Sequence, residues 1–334
     1  MITLSSIASD YHERMQFHQL AYFVAVAEHR HFTRAAEQVR VAQPSLSQQV
    51  RALEHDLGAP LFHRIRGNVS LTEAGETLLP IARRILAETE TARRAIRELD
   101  ELDRGRVRLG APPSLCTGLL PAMLAAFRRR YPGIQLELHE SGSGDLRQRL
   151  AEGALDLALL AGARATADAG LAVTPLLLEE LVVISAADAP VAHTGTRLGI
   201  RELADVPLVM FRRGYDVREA TVNACRAAGF EPSFAIEGGE MDAVLELVRA
   251  GVGAAVVPST VAGDRFLMTR FTPDAGMTRI VQLVHRGDVE PTRAVRALRS
   301  AIAGFVADPA RRASLPPGIE SLVDESVTPA DQGP

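Results

Sequence analysis

Residues 33–57, TRAAEQVRVAQPSLSQQVRALEHDL, constrain this chain most, because they admit two short helices packed across a tight turn and little else. Thr33 is a helix-capping residue, and Ala35, Ala36 and Val39 share one face of the helix it opens. Residues 40–43 break that helix. Pro44 suits the first turn of the next, where its missing N–H costs nothing. From there Leu46, Val50, Leu53 and Leu57 recur at helical spacing as a buried stripe. The opposite face opens with Gln43, Ser45, Ser47, Gln48 and Gln49. Solvent-facing helices usually carry Glu, Lys and Arg, since Ser is a poorer helix former and Gln brings no charge pairing. Neutral donor–acceptor side chains suit base edges in a DNA major groove.

A helical hairpin in any globular domain would satisfy the spacing alone. Its neighbours narrow the choice. Phe17, Leu20, Phe23, Val24 and Ala27 predict a preceding amphipathic helix, and Ala36 is small enough for close helix approach. Gly58 ends the second helix. Residues 61–64 and 68–71 then read as a short hairpin around Arg66 and Gly67, a wing whose Arg64 and Arg66 can meet phosphates or a minor groove. A winged helix-turn-helix is expected.

Dense, ordered stretches carry a family likeness: QLAYFVAVA at 19–27, FTRAA at 32–36, QPSLSQQVRALE at 43–54, Leu57-Gly58, Leu61-Phe62 and LTEAG at 71–75. The chain resembles the LysR-type transcriptional regulators. That resemblance implies a DNA-binding regulator, not an enzyme, modulated by a small-molecule effector. Its implied partners are double-stranded promoter DNA, RNA polymerase and further copies of itself, as a dimer and tetramer. Gln43, Pro44, Ser47 and Gln48 would approach bases, with Thr33, Arg34 and Arg64 on the backbone. Ser45, Arg51 and Arg66 complete the candidate DNA-contacting set. Many relatives carry arginine at position 48, which suits guanine; Gln48 suits adenine.

Composition agrees without deciding anything. The 334 residues suffice for two or three domains, and 47% hydrophobic with 23% charged content is ordinary for a soluble protein. No apolar run reaches membrane-spanning length and no signal peptide opens the chain, so a cytoplasmic protein without a membrane partner is expected. Cys116 and Cys225 make no metal-type spacing and read as reduced thiols. The net charge of -4 argues against a general nucleic-acid coat but leaves room for a local DNA-reading patch.

Beyond the wing, Thr72 is a good N-cap. Leu78, Ala82, Ile85, Thr89, Ala92, Ile96 and Leu99 then repeat at alternating spacings of four and three. This is a coiled-coil seam, or else a helix packed on its own domain. A dimer would place two recognition helices on a palindromic site.

From Arg106 the pattern changes to alternating strands and helices. Strands are expected at 107–110, 134–138, 155–160, 181–184, 208–211, 254–257 and 280–284. Helices are expected near 115–131, 146–152, 217–228, 241–250 and 292–305. The order predicts a largely parallel, doubly wound sheet in two lobes, similar to periplasmic solute-binding proteins. The whole is therefore an α+β multidomain chain: a leader (1–14), a winged helix-turn-helix (15–72), a linker and dimerisation helix (73–104), a two-subdomain α/β effector domain (105–306) and a flexible tail (307–334). Subdomain I takes about 105–178 and 281–306, and subdomain II about 179–280. The leader is expected to be disordered, or translation to begin at Met15. Five prolines in residues 308–334 favour the flexible tail.

Ligands of open α/β sheets sit beyond the carboxyl ends of strands, near helix N-termini. That rule selects Pro113, Ser114 and Ser143 from the first lobe, and Phe211, Arg212, Tyr215, Glu240 and Met241 from the second. The serines suit a ligand oxygen or a plain helix cap. Arg212 or Arg213 could pair a carboxylate, the effector class this favours. No zinc-protease pair, nucleophile elbow or Walker loop supports an enzyme, and no cofactor motif is present. The cluster Glu28-His29-Arg30-His31 fits a capped helix end better than a metal site.

Overall fold

The structure, a computed structural model, describes residues 15–65, 68–100, 105–162, 170–191, 197–263, 266–312 and 317–323. They fall into two compact units, residues 1–94 with 152–154 and the remainder. The leader lies outside the described residues, as do Arg66 and Gly67.

The first unit holds α1 (Phe17–His29), α2 (Phe32–Gln38), α3 (Gln43–Leu57), the hairpin β1 (Phe62–Ile65) and β2 (Asn68–Leu71), and α4 (Glu73–Asp100) as far as Arg94. Leu20, Phe23, Ala35, Ala36, Leu46, Val50 and Leu53 form its core. Each fully buried Leu or Phe contributes about 1.5–3 kcal/mol of transfer free energy. Phe62 ties the wing to the bundle, its ring 5.4 Å from Phe23 and 5.8 Å from Phe32. Two expected core residues lie outside it: Phe17 is 61% exposed and Leu57 42%. They are the first residue of α1 and the last of α3, where the helices run past the core.

Thr33 does not cap α2. His31 does: its Nδ1 accepts from the backbone N–H groups of Thr33 and Arg34, so an imidazole does the work of a hydroxyl. The turn into α3 is a Schellman cap. Arg40 takes φ 57°, its N–H donates to Glu37 O and the Val41 N–H to Ala36 O. Thr72 caps α4 as expected, its Oγ1 accepting from Gly75 N at 3.1 Å while donating to Pro60 O. A Cβ on Gly75 would lie 2.2 Å from Leu61 O, so only glycine permits this approach. Along the seam, Leu78, Ala82 and Ile85 pack on the helical core, whereas Ala92 and Ile96 are exposed. The side chain of Leu99 lies outside the described set.

In the second unit β4 (Ile134–Glu140), β3 (Gly105–Ala111), β5 (Leu157–Gly162), β12 (Thr278–Arg286), β6 (Leu171–Ser185), β11 (Leu267–Phe271) and β7 (Arg197–Leu198) lie side by side in that order. Strands β10 (Ala255–Pro258) and β13 (Ile319–Ser321) also pair with β6, and β8 (Leu208–Phe211) pairs with β9 (Phe234–Gly239). Helices α5 (Pro113–Thr117), α6 (Leu120–Arg130), α7 (Ser143–Ala151) and α11 (Arg293–Ala307) serve the first lobe. Helices α8 (Asp216–Ala227), α9 (Met241–Arg249) and α10 (Ser259–Ala262) serve the second.

The expectation of a largely parallel sheet needs correcting. β3 is parallel to β4 and β5, and β8 to β9, but β12 is antiparallel to both β5 and β6, and β10 and β11 are antiparallel to β6. β6 carries the chain out to the second lobe and β12 brings it back, so they must oppose. β6 is also far longer than the expected strand at 181–184. Pro175 hides its first half, and the strand tolerates it beside an irregularity in the β12 register. The helix expected near 115–131 is two helices, split at Gly118 and Leu119 ahead of Pro121 in the first turn of α6.

The tail is not wholly loose. Pro309–Arg312 form a helical turn, α12, and β13 pairs with Leu177–Glu179 of β6 while Ile319 packs on the first-lobe core. An open strand edge and two apolar side chains, Ile319 and Val323, suffice to dock it.

Candidate DNA-reading face and ligand cleft

Helix α3 presents Gln43, Pro44, Ser45 and Gln48 to solvent from its first turns. No hydrogen bond joins the side chains of Gln43, Ser45 or Gln48 to another described residue. Thr33 and Arg34 are exposed at the start of α2. Two residues of the expected polar face turn inward. Ser47 is 6% exposed and its Oγ accepts from Arg51 Nη2 at 3.2 Å, so in the free chain it is withdrawn from solvent and orients Arg51. Gln49 Oε1 accepts from Gln19 Nε2 and meets His18, which locks α3 to α1. The inward stripe is wider than four leucine-type positions because small and amide side chains fill its edge. Arg64 stands at the wing base, 2.7 Å from Glu54 Oε2 and 5.2 Å over the Phe32 ring. Glu54 Oε1 also accepts from Leu61 N, so one carboxylate joins the wing to the recognition helix.

The junction between the lobes of the second unit is held by a residue that the strand-end rule did not select. Arg279 on β12 is 2% exposed. Its Nε donates to Glu179 Oε2 at 2.9 Å, and its Nη1 donates to Ser114 Oγ and Asp216 Oδ2, each at 3.0 Å. Glu179 is its antiparallel partner on β6 and also accepts from Thr260 N and Oγ1. Burial opposes the guanidinium charge, but Glu179 and Asp216 outweigh it and hold Arg279 above its ordinary value. The sequence signal was present: charged residues inside apolar strands are rarely fully buried unless paired.

Of the expected ligand residues, Pro113 and Ser114 lie at the start of α5, with Ser114 buried against Arg279. Ser143 is tied to its own lobe, its Oγ donating to Ala161 O and accepting from Ala161 N. Phe211, the last residue of β8, and Met241, the first of α9, are buried in the second-lobe core. Tyr215 stacks on Phe211 at 5.7 Å and hydrogen-bonds Glu240, while Arg212 donates to Glu240 Oε1 at 2.7 Å and lies over the Tyr215 ring. That network raises the Tyr215 hydroxyl, chiefly through burial and then Glu240, and lowers the Glu240 carboxyl, chiefly through Tyr215. Arg212 is thus already paired. Nearby, burial and then the charges of Asp242 and Glu240 raise the Glu140 carboxyl above its ordinary value. A Cβ on Gly142 would come within 2.7 Å of Gly214 O, so the lobes touch here across backbone.

Burial pushes the Cys116 thiol up to about 12 and the Cys225 thiol to about 11, each helped by a carboxylate. Neither is set up as a reactive thiolate.

Two family models match: the bacterial regulatory helix-turn-helix of the lysR family over residues 17–76, and the LysR substrate binding domain over 100–306. The chain belongs to the LysR family. It is 34% identical over 278 residues to a probable nitrogen assimilation transcriptional activator of Synechococcus elongatus, covering 81% of this chain and 88% of that protein. It is 32% identical over 245 residues to a hydrogen peroxide-inducible genes activator of Pectobacterium carotovorum, covering 73% and 80%. Among solved structures, full-length OxyR from Pseudomonas aeruginosa matches with TM-score 0.64 at 27% identity, over 86% of this chain and 95% of that one. CbnR in complex with its target DNA matches with TM-score 0.62 at 26% identity, over 86% and 100%. This LysR-family protein is accordingly a DNA-binding transcriptional regulator with a C-terminal effector-binding domain. No described helix is long and apolar enough to cross a membrane.

Proposed function

We propose that this regulator reads promoter DNA with Gln43, Pro44, Ser45 and Gln48 at base edges, and with Thr33, Arg34, Arg51, Arg64 and Arg66 toward phosphates. The observation that carries the reading is the exposed amide and hydroxyl face of α3, since such groups are left bare at a cost in helix propensity. Ile96, 65% exposed, and Ala92 support α4 as a dimer seam that sets two recognition helices on a palindrome. Pairing of dimers into tetramers, contact with RNA polymerase and a cytoplasmic location complete the proposal. A gel shift on the DNA upstream of the gene tests it, and absence of any protected fragment would refute it.

The effector is a small carboxylate held between the lobes near Ser114. Support comes from the guanidinium of Arg279 beside that hydroxyl. A cationic ligand is the second reading, favoured by Glu140, Glu240 and Asp242 at the cleft lip. Calorimetric titration of the full chain with carboxylates and with amines separates them.

A further inference from the structure

Arg279 leads one step beyond the proposed cleft reading, on which this inference rests. One guanidinium there faces two carboxylates, and they differ in kind. Glu179 lies beside Arg279 in the sheet, is 1% exposed as a side chain, and is saturated by Arg279 and Thr260. It suffices to neutralise the cation. Asp216 comes from the opposite lobe, at the first residue of α8, and its side chain is 10% exposed. It reaches the same Nη1 that holds Ser114 Oγ. A buried guanidinium nitrogen, a hydroxyl and an anion approaching from the solvent side are what a carboxylate ligand would require.

We propose that Arg279 and Ser114 form the anion receptor of the effector cleft, and that the Asp216 carboxylate occupies it as an internal stand-in which the effector's carboxylate displaces. Exchange of one charge-assisted bond for another costs little, and a displaced Asp216 keeps the favourable field of its helix N-terminus. Because Asp216 bridges to the other lobe, its release also changes how the lobes are joined.

Chemical rescue tests this in the full chain. Asp216→Ala should unfold at a lower temperature than the wild type, and sodium formate should restore part of the loss saturably, where sodium chloride at equal ionic strength does not. The wild type should need roughly tenfold more formate for any response, because Asp216 competes. Adding Ser114→Ala should weaken the rescue. If Asp216→Ala fails to fold, Asp216→Asn keeps the volume and takes the same titration. Formate acting like chloride on the variant, or stabilising wild type equally, would overturn the proposal and make Asp216 a fixed latch. Rescue by formate without any wild-type carboxylate binding would refute only the carboxylate effector.

Discussion

The proposed DNA-reading face and the proposed ligand site treat polar groups in opposite ways. On α3 the side chains of Gln43, Ser45 and Gln48 are solvent-facing and make no bond to another described residue. At the lobe junction Arg279, Glu179, Asp216, Ser114 and Thr260 bond to one another, although the buried Arg279 Nη2 has no hydrogen-bond acceptor and meets Glu179 only as an ion pair. The first surface spends nothing on itself and can be read from local chemistry. The second is a largely self-paired network, so any ligand entering it would have to compete with the protein's own groups.

Breaking the cleft network should have the largest effect. Arg279→Met leaves Glu179 buried without its cation, and stability should fall by about 3–5 kcal/mol in urea unfolding. A loss below about 1 kcal/mol would mean that water reaches the network, and the contrast would fail. On the DNA side, Gln48→Arg should leave stability alone and shift base preference at one position by about 1–3 kcal/mol, read by competition gel shifts. Glu54→Ala removes the link between wing and α3. It should cost about 1–2 kcal/mol of stability and weaken all DNA sites alike. A change of sequence preference instead would place Arg64 on bases.

Smaller effects sharpen the same contrast. A carboxyl raised in the folded state opposes folding once it ionises, so Glu140 costs stability as pH rises through the carboxylate range. Glu140→Gln should therefore raise the unfolding midpoint at pH 7 and leave it unchanged near pH 4. Smallest of all, Cys116→Ser and Cys225→Ala should not alter DNA binding with or without hydrogen peroxide, since both thiols stay protonated. Loss of a peroxide response in either variant would contradict this.

Legibility followed the range of the interactions. The helix pair, the wing and the Thr72 cap rest on residues a few positions apart, and the chain shows them openly. Ser47 and Gln49 were misassigned because their burial depends on Arg51 and on α1, 30 residues away for the Gln19–Gln49 bond. The strand-end rule selected Ser114 but substituted Arg212 for the cation that meets it. Arg212 is spent on Glu240, while Arg279 lies 165 positions from Ser114. No periodicity encodes a partnership across such a distance.

Short-range chemistry in the chain is enough to specify the recognition helix, the wing, the α/β alternation and the family, because capping, helical period and strand pattern act within a few residues. Folding alone settled which polar groups face water and which face each other. Helix packing turned Ser47 inward, the return of β12 beside β6 set Arg279 against Glu179, and the placement of α8 set Asp216 against the same guanidinium. The physical reason is burial: a charge removed from water must find its partner in space, wherever that partner lies in the sequence.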